Sequence, residues 1–162
     1  MFRSLKYSNC VINLIGKDTE TNNFDFEAVH VEGARTIARI AREAGVKRFI
    51  HLSSLNCSPN PEKHLLWRKG SGFLRSKYYG ELAVREEFPL ATIIRPADIH
   101  GEDDNFCQSF CRWERRQLGG LPLINGGWGT FKSPVFVSDV AQAVVNALTD
   151  DEAPGETYAA IG

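Results

Sequence analysis

The sequence lacks a long hydrophobic run, an excess of one charge and paired cysteines, and each absence excludes a class of protein. No apolar stretch approaches the roughly 20 residues that span a bilayer. The 19 basic and 20 acidic residues nearly balance, whereas proteins that bind nucleic acid usually carry a strongly basic face. The cysteines, Cys10, Cys57, Cys107 and Cys111, form no CxxC pair and no metal set, which favours reduced thiols in a reducing compartment.

What is present is an alternation of short apolar runs with amphipathic segments. The predicted strands are 10–15, 48–53, 91–95, 134–137 and 157–161. The predicted helices are 25–44, 71–88, 105–118 and one that begins at Asp139. This order is typical of right-handed βαβ units around a parallel sheet. The sequence therefore predicts an α/β fold in one domain, a partial Rossmann-like, doubly wound parallel sheet.

Three local interactions are also predicted along the helices. Asp25 is expected to cap the first helix. Asp139 is expected to cap the last helix, in a capping box with Gln142. Glu81 and Arg85 are spaced as an i,i+4 ion pair on the second long helix.

Polar and small residues follow three of the predicted strands. Gly16 ends the first, Ser53 and Ser54 end the second, and Pro96 to Ile99 follow the third. In an open parallel sheet, ligands bind in the crevice beyond the carboxyl ends of the strands. These ends therefore predict the floor of a nucleotide site.

Four motifs in this order resemble the extended and atypical short-chain dehydrogenase/reductases. They are VHVEG at 29–33, AGVKRFIHLSS at 44–54, RP at 95–96 with IHG at 99–101, and VSDVA at 137–141. In that family a serine, a tyrosine and a lysine carry the chemistry, and the tyrosine precedes the lysine by four residues. Since residues i and i+4 share a helix face, the ammonium lowers the pKa of the phenol, which then transfers a proton.

The resemblance places Phe73 where the family has its tyrosine. Lys77 matches the lysine and Ser54 the serine, so both are vestigial. Tyr78 and Tyr79 lie about 100° and 200° around the helix from Lys77 and cannot substitute for the missing phenol. We therefore predict no catalytic residue and a protein that is not an enzyme.

The family also has a glycine-rich phosphate loop after its first strand, and this sequence has none. The resemblance makes 10–15 the fourth strand of the family pattern, and so implies a domain truncated at its N-terminus and also at its C-terminal end. The segment that selects NAD or NADP is absent as well. We expect an unpaired edge at 10–15, weak NADPH binding and a tendency of the isolated chain to aggregate.

A narrower resemblance is to the short-chain-dehydrogenase-like accessory subunits of mitochondrial respiratory complex I. It rests on VINLIGKD at 11–18 with Glu20, Thr21, Asn23 and Phe24, on 88–103 and on 134–140. It implies tightly held NADPH that is not turned over, other complex I subunits as partners, and a peripheral position on the matrix side of the mitochondrial inner membrane. Trp67, Trp113 and Trp128 are predicted to pack against partners or against further parts of the protein.

The predicted cofactor contacts are the residues at the strand ends together with Lys77. They are Leu14, Ile15, Gly16, Leu52, Ser53, Ser54, Lys77, Pro96 and Ile99. No metal ligand is predicted. Two alternatives stay open: an active NAD(P)-dependent oxidoreductase or epimerase of the extended family that uses another acid, and a nucleotide-sensing regulator of the atypical family that binds soluble partners.

Overall fold

Short apolar runs form a four-stranded parallel sheet and a small second sheet. The computed structural model describes residues 5–62, 70–102, 104–111, 128–129 and 131–162. The main sheet consists of β1 (Cys10–Asn13), β2 (Arg48–Leu52), β3 (Thr92–Pro96) and β6 (Thr157–Ala160), in the order β1-β2-β3-β6. The second sheet pairs β4 (Ile99–His100) with β5 (Val135–Phe136), also in parallel. The parallel α/β fold predicted from the sequence is confirmed.

Four helices accompany these strands in the described part of the chain. Helix α1 begins as a π-helix, Glu27–Gly33, and continues as an α-helix, Ala34–Glu43. The others are α2 (Gly72–Glu87), α3 (Asn105–Cys111) and α4 (Val137–Thr149). The predictions for 112–118, Trp67 and Trp113 lie outside the described residues.

Helices cover both faces of the sheet because the strand side chains alternate. Phe49 and Ile93 pack with α1 and α2 on one face, whereas their neighbours Ile50 and Ile94 pack with α4 on the other. Period-two alternation between two apolar layers makes each central strand apolar throughout. The sheet is therefore doubly wound, as predicted.

Helix starts follow the sequence in one case and depart from it in another. Asp25 accepts a hydrogen bond from the backbone N–H of Ala28 at 2.7 Å, as expected of a cap. The cap prediction for Asp139 is wrong, because α4 already begins at Val137 and Asp139 lies inside its first turn. Gln142 bonds Asn146 at 2.8 Å and takes no part in a capping box.

The two central helices approach unusually closely at a glycine. A Cβ added to Gly80 of α2 would lie 2.2 Å from the carbonyl oxygen of His30 in α1. Only a residue without a side chain allows this contact, which fixes the position of α2 above the sheet.

β1 lies at the edge of the main sheet, as expected, but it is shorter than predicted. It ends at Asn13, so Leu14 and Ile15 lie beyond it, exposed at 63% and 53%. Ile12 is also exposed, and the residues that pack around α4 on that face include none from β1. Among the described residues, no helix is long and apolar enough to cross a membrane.

Candidate functional site

The carboxyl ends of β1, β2 and β3 open into a crevice of about 470 Å³. Helix α2 forms one wall, and the segment after β3 forms another. The lining residues include Leu14, Gly16, Leu52, Ser53, Ser54, Lys77, Pro96 and Ile99, together with Phe73, Asp98 and Asn105. The structure thus gathers eight of the nine predicted contacts around one space, although their role toward a cofactor stays a prediction.

The ninth predicted residue, Ile15, does not line the crevice. Its backbone N–H donates to the side-chain oxygen of Asn13 at 3.1 Å, and its side chain is exposed. Because β1 stops at Asn13, the chain has already turned at Ile15. The sequence pattern could not show this, since an apolar run reads alike inside and just beyond a strand.

Lys77 projects from α2 into the crevice and is almost fully buried. Its ammonium donates to the carbonyl oxygen of Leu52 at 3.3 Å, the only hydrogen bond it makes to the described residues. A Cβ at Gly16 would lie 3.0 Å from this ammonium, so the missing side chain makes room for it. Burial lowers the pKa of Lys77, and the nearby Cys57 and Glu81 partly offset that effect.

Phe73 lies one helical turn before Lys77, as predicted, with its ring centroid 5.9 Å from the ammonium. The rings of His30 and Phe26 pack against it edge-on, at 5.4 and 6.0 Å. The ring is held by apolar and aromatic contacts, and it has no atom that can transfer a proton.

Neither adjacent tyrosine replaces the missing phenol, which agrees with the helical geometry. Tyr78 and Tyr79 pack against each other at 5.6 Å, and Tyr79 is exposed. Ser54, at the position of the family's serine, donates to the carbonyl of Leu55 at 3.3 Å. Within the described part of the chain, no hydroxyl bonds the ammonium of Lys77.

A buried histidine joins the crevice loop to α2. The backbone N–H of Lys17 donates to Nε2 of His30 at 3.1 Å, so Nδ1 carries the proton and donates to Ser76 at 2.8 Å. Ser76 in turn donates to the carbonyl of Phe73 at 2.8 Å. Burial, with the charge of Lys77, lowers the pKa of His30 to about 4. His30 is therefore neutral at physiological pH.

A second buried histidine lies on β2. The side chain of Asn13 donates to Nδ1 of His51 at 3.1 Å, which leaves the proton on Nε2. That Nε2 is buried and has no hydrogen-bond partner among the described residues. Burial lowers the pKa of His51 to about 4. His51 is thus a buried side chain that packs beneath the crevice floor.

An ion pair with a buried carboxylate and a half-buried guanidinium lies near Lys77. Arg95 of β3 donates two hydrogen bonds to Glu81, from Nε to Oε1 at 2.9 Å and from Nη2 to Oε2 at 2.6 Å. The predicted Glu81–Arg85 pair is wrong, because Glu81 faces the sheet and Arg85 instead bonds the carbonyl of Gly155 and the hydroxyl of Thr157. Burial raises the pKa of Glu81, but its hydrogen bonds outweigh burial and hold the pKa below its usual range.

Residues 53–57 form a turn between β2 and the loop that follows, which we call the serine turn. The thiol of Cys57 donates to Oε1 of Glu81 at 3.0 Å, and the hydroxyl of Ser53 lies 3.7 Å from the same sulfur. Burial, together with the hydrogen bond to Glu81, raises the pKa of Cys57 to about 11. The sequence places Glu81 on the same helix face as Lys77, because the two are four residues apart. It does not show the partners of Glu81, because they are distant in the chain.

A second cavity of about 400 Å³ lies beside the crevice. Phe73, Ser54 and Asp98 line both spaces. Pro96 and Ala97 are shared as well, and the remaining walls of the second cavity combine apolar with polar residues, Leu55, Leu74, Phe131 and Ile161 with Asn56, Lys132 and Ser133. Among the described residues, no group of three or more histidine, cysteine or acidic side chains could hold a metal ion.

A model of the NAD dependent epimerase/dehydratase family matches residues 3–160. The chain is 46% identical over 160 residues to NADH dehydrogenase (ubiquinone) 1 alpha subcomplex subunit 9, mitochondrial, of Mus musculus, covering 99% of this chain and 40% of the relative. It is 38% identical over 159 residues to the NADH-ubiquinone oxidoreductase 40 kDa subunit, mitochondrial, of Neurospora crassa, covering 98% and 39%. The chain thus spans about 40% of the length of these curated relatives. They confirm the resemblance found in the motifs.

The fold is similar to that of a UDP-glucuronic acid 4-epimerase from Bacillus cereus, solved in complex with UDP-glucuronic acid and NAD. The TM-score is 0.73 at 18% identity, covering 99% of this chain and 56% of that one. At this identity the likeness supports the fold alone.

Proposed function

Because the chain belongs to the NAD dependent epimerase/dehydratase family, we propose that its crevice is the ribose and nicotinamide side of an NAD(P) site and that it does no chemistry there. The protein acts as a non-catalytic accessory subunit of mitochondrial NADH:ubiquinone oxidoreductase, complex I. It assembles with other complex I subunits on the matrix side of the inner membrane and holds NADPH as a fixed ligand in the intact protein.

One observation carries the non-catalytic assignment, the benzyl side chain of Phe73 facing the ammonium of Lys77. A positioned general acid contributes on the order of 10²–10⁴ in rate, and here the position holds a ring without an exchangeable proton. Ser54 donates to a neighbouring carbonyl and does not reach the ammonium. The crevice keeps the groups that bind and lacks the group that transfers a proton.

The residues present fit one half of a dinucleotide. Lys77 makes a single hydrogen bond to the described residues, so its ammonium can donate to ribose hydroxyls above Leu52 and Gly16. Bound NADPH would bring hydride chemistry, which these residues would hold without using. The sequence contains no glycine-rich loop after a strand, the usual cradle of the diphosphate.

The partner and location rest on the relatives. Two proteins that carry complex I names are 46% and 38% identical to nearly the whole of this chain. We propose the same assembly for the protein to which the chain belongs. The active-enzyme and regulator alternatives have no comparable support.

Two experiments test the proposal. An epitope-tagged protein expressed in its own cells should migrate with the respiratory complex on a native gel; recovery only as a soluble monomer would refute the subunit assignment. The purified protein should show no oxidation or reduction of NAD(P) across a panel of sugars, lipids and steroids. Turnover that disappears in a Ser54→Ala variant would establish the enzyme alternative instead.

A further inference from the structure

We infer that Glu81 and Cys57 are positioning residues, which fix the serine turn in the shape that forms the crevice floor. The inference rests on the proposed function, because that function makes this floor a cofactor contact. Its basis is a set of contacts that none of the family motifs in the sequence predicted.

The carboxylate of Glu81 is held in position by Arg95, independently of its contact with the serine turn. Its side chain is 6% exposed, and a buried carboxylate needs paired charge and hydrogen bonds to stay ionised. The fork of Arg95 supplies both. Oε1 keeps a further lone pair, which receives the thiol proton of Cys57.

Helix α2 thereby holds the chain after β2 at two points. Lys77 bonds the carbonyl of Leu52 just before the serine turn, and Glu81 bonds Cys57 at its end. The two side chains are four residues apart, so they project from the same face of α2. Their spacing sets the span of the turn.

The serine turn departs from regular backbone at one residue. Asn56 adopts a left-handed conformation, with φ of 63°, which most side-chain-bearing residues avoid and asparagine adopts more readily. The Leu55 N–H donates to the carbonyl of Pro96 in β3 at 2.8 Å, and within the turn the Cys57 N–H donates to the carbonyl of Ser54 at 3.3 Å. Ser53 and Ser54 line the crevice from this turn, so a loss of its shape changes the floor.

The test compares three variants of the full chain. Cys57→Ala removes the donor, Cys57→Ser keeps a donor of similar size, and Cys10→Ala changes an exposed cysteine on β1 as the matched control. Amide hydrogen exchange, read by NMR, reports whether the turn opens. The Ile93 N–H, bonded to Glu156 in the sheet, reports global unfolding in the same sample.

We expect Cys57→Ala to speed exchange of the Leu55 amide about tenfold or more relative to Ile93, the size of a lost hydrogen bond to a charged group. Cys57→Ser and Cys10→Ala should match the wild type. If Cys57→Ala speeds amide exchange equally at Leu55 and Ile93, Cys57 contributes only to general packing and the inference is overturned. So would a Cys57→Ser variant that behaves like Cys57→Ala.

The second arm is a titration with NADPH. Saturation-transfer NMR serves as the readout, because it detects weak binding. Cys57→Ala should weaken binding about threefold to tenfold, and Cys57→Ser should restore it. Faster exchange at Leu55 with unchanged NADPH affinity would overturn the link between turn and site. No NADPH binding by the wild type would refute the weak binding expected of this chain, while the exchange arm would still decide whether Glu81 and Cys57 hold the turn.

Discussion

Phe73→Tyr tests whether the lysine still stands where it would activate a phenol. The new hydroxyl would enter the crevice beside the ammonium of Lys77, which lies 5.9 Å from the ring centroid. At that distance, with an effective dielectric constant of about 20, Coulomb's law gives about 2.8 kcal/mol in favour of the phenolate. That energy corresponds to about two pKa units. Solvent in the open crevice and partial burial of the phenol both make this lowering of the pKa smaller. We therefore expect the pKa of the phenol to fall by about one unit from its ordinary value of about 10.

The assay is a spectroscopic pH titration of tyrosinate absorbance in the Phe73→Tyr variant at low salt. The wild-type curve is subtracted, because the four native tyrosines titrate as well. Adding Lys77→Met to the variant should return the pKa of the phenol to about 10 or higher. If the phenol titrates at 10 or above with the lysine present, and the second substitution changes nothing, the geometry proposed for Phe73 and Lys77 is wrong.

Three further predictions concern the folded state. Arg95→Met should destabilise the chain by about 3–5 kcal/mol in urea unfolding, because it leaves the buried carboxylate of Glu81 unpaired; adding Glu81→Gln should recover part of the loss, and no recovery would contradict the pairing. His30 and His51 bind their second proton less readily when folded, each with a pKa of about 4 against 6.5, so stability should fall as pH drops from about 6.5 toward 4, and His30→Asn should reduce that slope to the part due to His51. An unchanged slope would show that His30 titrates normally in the fold. Gly80→Ala should cost about 1–3 kcal/mol, since the new Cβ would meet the His30 carbonyl at 2.2 Å; Gly72→Ala, whose Cβ would meet only Phe26 at 3.7 Å, is the matched control on the same helix, and equal effects would refute the argument.

The sequence predicted the sheet because parallel strands buried on both faces leave an unmistakable apolar pattern. Phe49 and Ile50 point to opposite helical layers, and both layers are apolar. Edge strands leave a weaker pattern. The run at 10–15 is apolar apart from Asn13, yet Ile12, Leu14 and Ile15 are exposed in the described part of the chain and the strand ends at Asn13.

The crevice could be predicted in part, for a related reason. Lys77 and Phe73 follow from helical spacing and a family motif, whereas the partners of Glu81 depend on contacts between distant segments. A helical i,i+4 rule proposed Arg85 for Glu81, and the structure uses Arg95 of β3 instead. Local rules describe exposed faces of helices, and Glu81 lies on a buried one. The tautomer of His30 likewise depends on Lys17, which only the folded loop brings near.

The depth of Cys57 gives the protein a natural reporter. Its thiol is 8% exposed, and its pKa of about 11 keeps it in the unreactive protonated form at neutral pH. Cys10, on the edge strand, is exposed. A maleimide should therefore label the exposed Cys10 and Cys107 quickly and Cys57 only when the surrounding structure opens transiently, so the alkylation rate of Cys57 itself would measure that opening without any engineered probe.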